Sequence, residues 1–146
     1  MSPLLEILAT LAAGLFAGAA LYVTAVEHPA RVSCGSALAV TEFRPSYERG
    51  AIMQATLALI GALAAMVRWG LGGQIGWLIG GLLLGAVVPF TLLVIMPTTT
   101  RLLDVSLELN SSESAVLLRR WGRLHAVRSA ASLVAFTAFL FLFASA

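Results

Sequence analysis

The sequence contains no lysine, and all nine of its basic residues are arginines scattered along the chain. It has no basic arm and no run of positive charge of the kind that binds nucleic acid, so we expect no nucleic-acid partner. Charged residues make up only 11% of the 146 residues, whereas hydrophobic residues make up 60%. This balance lies outside the range of ordinary soluble domains and indicates a membrane protein with a single domain over residues 1–146.

Cysteine and the motifs of several large enzyme classes are also scarce. Cys34 is the only cysteine, which excludes a disulfide within the chain. The sequence has no P-loop and no G-x-S-x-G nucleophile motif, so nucleotide binding through a P-loop and serine hydrolysis have no support. Any chemistry is therefore expected from the few polar residues of the apolar segments.

Long apolar runs predict an all-α integral membrane four-helix bundle. The predicted spans are residues 4–26, 46–67, 75–96 and 124–143. We interpret the first run as a retained span rather than a signal peptide, because the start of the chain, residues 1–6, contains the acidic Glu6 and no basic residue. Residues 32–43 and 101–109 predict short interfacial helices in the first and third loops.

Glycine and proline positions predict local features of these helices. Glycines four residues apart predict close helix packing; the pairs are Gly14 and Gly18, Gly76 and Gly80, and Gly81 and Gly85. Pro29 is expected to kink or end the first helix, because it has no N–H to donate. Pro45 is expected in the first turn of the second span. Asn110, with Glu113 three residues later, is expected to cap one long helix that runs into the fourth span.

The arginines predict the orientation of the bundle. Only Arg68 lies on the side of the second loop and the termini. The others lie in or beside the first and third loops; they are Arg31, Arg44, Arg49, Arg101, Arg119, Arg120, Arg123 and Arg128. Because arginine-rich loops stay in the cytoplasm, we expect these two loops to be cytoplasmic and both termini to lie outside. The chain is thus predicted to be an integral protein of the bacterial inner-membrane type, surrounded by membrane lipid.

Three predicted helices each carry a face of small or polar residues. In the last helix, Trp121, His125, Arg128 and Ser132 follow one another at helical spacing. The other faces comprise Tyr47, Ala51, Gln54, Ala58, Gly61 and Ala65 in the second span, and Gly14, Gly18, Leu21, Ala25 and His28 in the first. Ionisable groups at membrane depth usually face the protein interior or a wet cavity. The three faces therefore predict a polar pocket near one end of the bundle.

The predicted pocket contains residues that suit acid–base chemistry. His28 and His125 can exchange a proton near neutral pH. One of them could remove a proton from a lipophilic phenol or ketone while Arg128 holds the resulting oxyanion. With Glu27 at the same predicted depth, we predict His28, His125, Arg128 and Glu27 as catalytic residues.

Other interpretations stay open at this point. His28 and His125 could instead bind a haem iron or a metal ion from facing helices. Glu27 could neutralise Arg128, as Asp104 could neutralise Arg101, and such pairs would set the register of the bundle. A small transporter or a structural membrane subunit is a further alternative, and a homo-oligomer is compatible with each of these functions.

Four short motifs follow one another along the predicted helices. They are Glu27-His28-Pro29-Ala30-Arg31, then Phe43-Arg44-Pro45-x-Tyr47-x-Arg49 with Gln54, then Phe90-Thr91 leading to Pro97-Thr98, and Trp121-Gly-x-Leu-His125-x-Val-Arg128. In order and spacing they resemble the anthrone oxygenase-like family of small four-span membrane proteins. This chain has Thr99 where the family pattern has an asparagine after Pro-Thr.

The resemblance implies a membrane oxidoreductase that acts on a lipophilic aromatic or quinone-like substrate. Some fungal members are linked to the oxidation of an anthrone to an anthraquinone by molecular oxygen, without a known organic cofactor. Beside the catalytic residues named above, we predict substrate contacts from Tyr22, Arg31, Tyr47, Gln54, Thr98, Thr99 and Trp121. Haem or a metal ion, held by the two histidines, remains the alternative cofactor.

Overall fold

The computed structural model describes residues 2–145, and all regular secondary structure in that range is helical. The helices are α1 (Ser2–Tyr22), α2 (His28–Ser33), α3 (Ser36–Gly70), α4 (Ile75–Phe90), α5 (Met96–Leu103) and α6 (Ser112–Ala144). Two π-helical turns, Val23–Glu27 and Thr91–Ile95, join α1 to α2 and α4 to α5. Each of these pairs therefore forms one continuous rod.

The elements make four helices that are long and apolar enough to cross a membrane. These first to fourth long helices are Pro3–Ser33, Ser36–Gly70, Ile75–Leu103 and Ser112–Ala144. The first long helix packs mainly against the second and the fourth, and the third long helix packs against the same two. The four helices therefore form a closed ring. The prediction of an all-α integral membrane four-helix bundle is confirmed. The first and third connections lie at one end, called here the His125 end, and the second connection and the termini lie at the opposite Glu6 end.

Towards the Glu6 end, the core packs small residues against aromatic rings. Phe16, Trp77 and Phe139 are fully buried there, and the rings of Trp77 and Phe139 stack with their centroids 5.2 Å apart. Alanines fill most of the remaining core; they include Ala9, Ala13, Ala20, Ala58, Ala64, Ala65 and Ala135. Small side chains let the helices approach closely, which supplies the van der Waals contact that holds membrane helices together.

The glycine pairs pack less uniformly than their spacing predicts. A Cβ atom on Gly80 would collide with the ring of Phe139, so this glycine is needed for the approach of α4 to α6. A Cβ on Gly14 would lie 2.8 Å from the ring of Phe136. Gly18, the predicted partner of Gly14, has no atom within 4 Å of such a Cβ. Only one member of that pair therefore contributes to helix packing.

Pro29 does not end the first long helix, because the π turn before it accommodates the missing donor. Within this wider turn the N–H of His28 donates to the carbonyl of Val23, five residues back. The second π turn precedes Pro97 in the same way, and there the N–H of Met96 makes the equivalent bond. Both rods thus remain continuous and are widened at the His125 end. Such π turns are frequent at functional sites.

The short helix predicted in the first loop is instead the beginning of α3. Only Cys34 and Gly35 separate α2 from α3, and Gly35 takes a φ of 92° that favours glycine. Pro45, which we predicted in a first turn, lies inside α3. Phe43, two residues before it, is fully buried and packs against Trp121 of α6, at 5.0 Å between ring centroids. This packing favours the helical turn that precedes the proline.

The interfacial helix predicted over residues 101–109 is present only in its first part. α5 ends at Leu103, and the chain from 104 to 111 is not helical. Arg101 holds this connection, since its guanidinium lies 2.9 Å from the carboxylate of Asp104 and 2.7 Å from that of Glu113. The N–H of Ser106 donates to Asp104 at 2.8 Å, and this bond lowers the pKa of the Asp104 carboxyl below its usual range.

The cap of α6 is Ser111 rather than the predicted Asn110. Its Oγ accepts a hydrogen bond from the N–H of Ser114 at 3.1 Å, and its backbone is extended, as an N-cap requires. The helix that follows has 33 residues and carries Trp121 and His125 into the fourth span without interruption. The prediction of one long helix through this motif is therefore confirmed.

Candidate functional site

A cavity of about 450 Å³ lies between the first and second long helices at the His125 end, with α6 as its rear wall. Most of the residues that we predicted for the site line it; they are Tyr22, Glu27, Arg31, Tyr47, Gln54, Trp121, His125 and Arg128. The π turn after α1 contributes the first wall, and α3 contributes the second. The cavity thus lies where polar residues of three helices meet.

The cavity has its mouth on the side of the bundle. Tyr22 and Met53 line it and are 56% and 49% exposed on the outer surface. The neighbouring Leu21 and Ile52 are also exposed and apolar. A surface of this kind on a membrane helix faces lipid, so a ligand dissolved in the bilayer has direct access to the cavity.

Arg128 is a buried cation that no carboxylate neutralises within the described part of the chain. Its Nη2 donates to Oε1 of the neutral Gln54 at 2.9 Å, and its guanidinium lies over the ring of Phe16 at 5.1 Å. Its Nε is buried and has no hydrogen-bond partner among residues 2–145. Burying an unpaired charge costs roughly several kcal/mol. An anion bound beside Arg128 would offset this cost.

Glu27 and Arg31, in contrast, neutralise each other at the rim of the cavity. Arg31 donates to Glu27, and Ser46 donates to the same carboxylate oxygen at 2.5 Å. Arg31 also lies 2.7 Å from the carboxylate of Glu42 on α3. Glu27 therefore pairs with Arg31 and not with Arg128, which corrects one of the alternatives above. Asp104 and Arg101 do form the other pair considered there.

His125 is held through one ring nitrogen and leaves the other open. Its Nδ1 lies 2.9 Å from Oγ1 of Thr24, and its ring stacks on Trp121 with centroids 4.7 Å apart. Nε2 makes no hydrogen bond to any described residue, and His125 lines the cavity. Nε2 is thus the imidazole atom that a ligand in the cavity can reach.

Sequence reasoning missed two hydroxyl groups beside this histidine. Ser129 follows His125 by four residues on α6, a spacing that places both on one face and could have identified it. Thr24 comes from the π turn of the first long helix, about a hundred positions away. Nothing in its local sequence points to His125, and only the packing of α1 against α6 brings them together.

Aromatic rings form one wall of the cavity. Trp121 meets Phe43 edge to face at 5.0 Å, and Phe43 stacks on Tyr47 at 5.6 Å with the two rings only 12° from parallel. The hydroxyl group of Tyr47 donates only to the weak acceptor Sδ of Met96, at 3.8 Å. Such a wall favours a flat aromatic ligand, because offset or edge-to-face ring contacts add to the gain from apolar burial.

Three of the predicted site residues lie outside this cavity. His28 is buried on the far side of Trp121, where its Nε2 donates to the carbonyl of Leu118 at 3.0 Å. A Cβ on Gly122 would lie 2.5 Å from that nitrogen, so the glycine allows the imidazole to reach α6. Thr98 and Thr99 are buried in α5 and do not line the cavity. Their place in the α5 packing, with Thr99 donating within its own helix at 3.3 Å, accounts for this.

The arrangement of the two histidines does not favour a shared haem or metal ion. Both rings contact Trp121, but His28 and His125 line separate cavities. The Nε2 of His28 is already used by a backbone carbonyl. Between residues 2 and 145 no group of three or more His, Cys, Asp or Glu side chains is placed to hold a metal ion.

Comparison with known proteins gives one match. The family described as "Anthrone oxygenase" matches residues 43–138, which include Tyr47, Gln54, Trp121, His125 and Arg128. No curated protein and no solved structure matches the chain. The matched segment covers more than half of the sequence and contains two walls of the cavity. The chain therefore belongs to the anthrone oxygenase family.

Proposed function

We propose that this protein is a membrane oxidoreductase that oxidises a lipophilic aromatic ketone or phenol with molecular oxygen. The observation that supports it most directly is the buried guanidinium of Arg128, without a carboxylate, in the same cavity as the open Nε2 of His125. A fixed cation stabilises a developing oxyanion, and an imidazole is an effective general base. Membership of the family makes an anthrone the first substrate to test.

The proposed reaction begins at the methylene carbon opposite the carbonyl group of the anthrone. His125 Nε2 removes one of its protons, and the electron pair is delocalised to the carbonyl oxygen, which accepts hydrogen bonds from Arg128. The carbon then reduces O₂ as a C–O bond forms, and the proton on His125 completes a hydroperoxide. Loss of the second C–H proton and cleavage of the O–O bond form the new carbonyl group and release water. One anthrone and one O₂ thus give one anthraquinone and one water.

The remaining residues of the cavity would bind and orient this substrate. The wall of Phe43, Tyr47 and Trp121 suits a planar ring system, and a volume of about 450 Å³ is within the usual range for ligand pockets, roughly 300–1,000 Å³. Gln54 fixes the guanidinium of Arg128 from the side of α3. The polar rim at Glu27 would accept hydrogen bonds from substrate hydroxyl groups.

The test is a turnover assay with the purified protein in lipid nanodiscs, supplied with a hydroxylated anthrone and oxygen. Quinone absorbance should rise above the spontaneous rate, and should not rise without oxygen. Replacing a general base costs about 10²–10⁴ in rate, so His125→Gln should lose that factor. The matched control is Arg119→Ala, an exposed position on the same helix outside the cavity.

Two outcomes would contradict this function. The first is the absence of protein-dependent quinone formation, and the second is an unchanged rate in His125→Gln. An intense Soret absorbance band in the purified protein would instead favour the haem-binding alternative.

We also propose that the cavity lies at the cytoplasmic boundary of the membrane, with both termini outside. The support for this is the position of eight arginines in or beside the first and third loops, against Arg68 on the other side. Reporter fusions at the C-terminus should register outside the cytoplasm, and fusions at Asn110 should register inside. The reverse pattern would overturn the orientation.

A further inference from the structure

We propose that Thr24 and Ser129 select the tautomer of His125 in which Nδ1 carries the proton and Nε2 presents its lone pair to the cavity. Its consequence for catalysis rests on the function proposed above, since a general base needs that lone pair. The tautomer itself rests only on the hydrogen bonds around the imidazole. Neither hydroxyl group belongs to the cavity lining, so both act through His125 as positioning residues.

The inference follows from counting donors and acceptors along one chain of polar atoms. His125 Nδ1 lies 2.9 Å from Thr24 Oγ1, which lies 2.8 Å from Ser129 Oγ. Ser129 Oγ lies 3.0 Å from the carbonyl of Ala20, 3.0 Å from that of His125 itself and 3.4 Å from His125 Nδ1. A carbonyl oxygen can only accept a hydrogen bond, so this series of hydrogen bonds ends at the carbonyl groups beyond Ser129.

The direction of donation is set by those carbonyl groups. If Ser129 donates to a carbonyl, its oxygen accepts the proton of Thr24, and the oxygen of Thr24 then accepts from Nδ1–H. Every contact from the imidazole to the carbonyl is satisfied in this arrangement. If Nδ1 were the acceptor, only the protons of Thr24 and Ser129 would remain for the three contacts from Nδ1 through Thr24 and Ser129 to a carbonyl. At least one of these contacts would then lack a proton, whichever way the hydroxyl groups turn.

The surroundings hold this chain of hydrogen bonds in place. Ser129 is 2% exposed, and the imidazole is fixed by stacking on Trp121 as well as by Thr24. The chain joins α6 to the first long helix at two points, the hydroxyl of Thr24 and the carbonyl of Ala20. A low-dielectric interior strengthens such bonds and makes an unsatisfied member costly. Rotation of the ring or exchange of tautomers therefore has to break several bonds together.

The experiment reads the tautomer directly and does not depend on turnover. Full-length protein with ¹⁵N-labelled histidine is placed in lipid nanodiscs, and the ring nitrogen resonances are recorded by solid-state NMR. The chain has only two histidines, so a His28→Gln sample assigns the signals of His125. In neutral His125 we expect a protonated Nδ1 and an unprotonated Nε2. A protonated Nε2 in the neutral ring overturns the proposal.

Variants test whether the two hydroxyl groups cause this preference. Thr24→Val keeps the size of the side chain but removes the hydroxyl group, and should shift His125 towards the Nε2–H form. Thr24→Ser restores the hydroxyl group and should restore the native spectrum. The matched control is Thr137→Val on α6, where the exposed hydroxyl group donates only to Leu133 of its own helix. An unchanged His125 spectrum in Thr24→Val overturns the role of Thr24.

Turnover then separates this proposal from the function on which its consequence rests. Thr24→Val should lower kcat about tenfold with little change in KM, a smaller loss than the roughly 10²–10⁴ for removing the base, and Thr24→Ser should recover it. Equal losses of kcat in Thr24→Val and Thr24→Ser would indicate a structural role of Thr24 and contradict the proposal. If the spectra agree but no anthrone is oxidised by the native protein, the proposed function fails while the tautomer assignment stands.

Discussion

Arg68 near one end of the bundle and Arg128 near the other lie in opposite electrostatic environments. At the Glu6 end, Arg68 Nε lies 2.5 Å from the carboxylate of Glu6, and the two side chains are 17% and 7% exposed. At the His125 end, Arg128 is 8% exposed and bonds only to the neutral amide of Gln54. One arginine is therefore neutralised by a carboxylate, as Arg31 also is, whereas Arg128 contacts no carboxylate among the described residues.

We infer that the difference separates a charge with a structural role from one with the catalytic role proposed above. A charge inside a membrane protein is costly unless it is paired, and a carboxylate from the facing helix meets that cost at Glu6 and Arg68. Arg128 has no such carboxylate among the described residues, and it lines the same cavity as His125, whose Nε2 makes no hydrogen bond to them. A buried cation of this kind is expected where an anion forms or binds during function. The comparison thus predicts that removing one charge will lower turnover and that removing the other will lower the free energy of unfolding.

Among the substitutions that test this comparison, the largest effect is expected from Arg128→Gln. Loss of one group that stabilises an oxyanion costs about 10²–10³ in kcat, so anthrone turnover should fall by that factor. Thermal stability in detergent should stay the same or rise, because the substitution removes an unpaired buried charge. Turnover and unfolding temperature measured on the same preparation check both. A large loss of stability would show that Arg128 is part of the scaffold.

The opposite pattern is expected from Glu6→Gln. Removing one partner of a buried ion pair leaves the other charge unpaired, at a cost of about 3–5 kcal/mol in the free energy of unfolding. Turnover per folded molecule should be unaffected, because the pair lies at the far end from the cavity. Denaturation in detergent measures the loss. The double variant Glu6→Gln, Arg68→Gln should regain part of it, and no regain would mean that the pair is not coupled.

A smaller loss of stability is expected from a substitution in the core at the Glu6 end, away from the cavity. Gly80→Leu places a side chain against Phe139 and should destabilise the bundle by about 1–3 kcal/mol, the usual cost of overpacking. The matched control is Gly18→Leu, since a Cβ at Gly18 has open space around it. Thermal unfolding of the two variants in the same detergent gives the comparison. Equal stability would indicate that the approach of α4 to α6 does not depend on Gly80.

Sequence reasoning worked where one helix carries the information. The spacing of Trp121, His125 and Arg128 on a single helix was enough to predict a common face, and all three line the cavity. It failed for His28, which shares the predicted depth but is separated from the cavity by Trp121. Depth follows from position along a helix, but the direction of a side chain around the bundle depends on how neighbouring helices rotate and pack.

The proline positions show the same limit of reasoning from sequence, here for local structure. Local rules predict a break at Pro29 and a helix start near Pro45, because proline lacks a donor and clashes with the preceding turn. In the folded chain a π turn accommodates the first, and α3 continues through the second beside the contact of Phe43 with Trp121. The first outcome is a change of hydrogen-bond pattern within one helix, and the second accompanies a contact between helices that lie far apart in sequence.

The sequence by itself determined the all-helical membrane class, the approximate spans and the polar face of α6. The physical reason is that hydrocarbon requires every backbone group of a span to be satisfied within the helix, so composition and length are sufficient. Only the tertiary structure decided which charges are neutralised. Glu27 and Arg31 are only four residues apart on one rod, but the pairing of Arg68 with Glu6, the contact of Arg128 with Gln54 and that of Thr24 with His125 join helices distant in sequence. Such contacts depend on the rotation of each helix about its axis, which packing of the whole bundle sets and no single segment encodes.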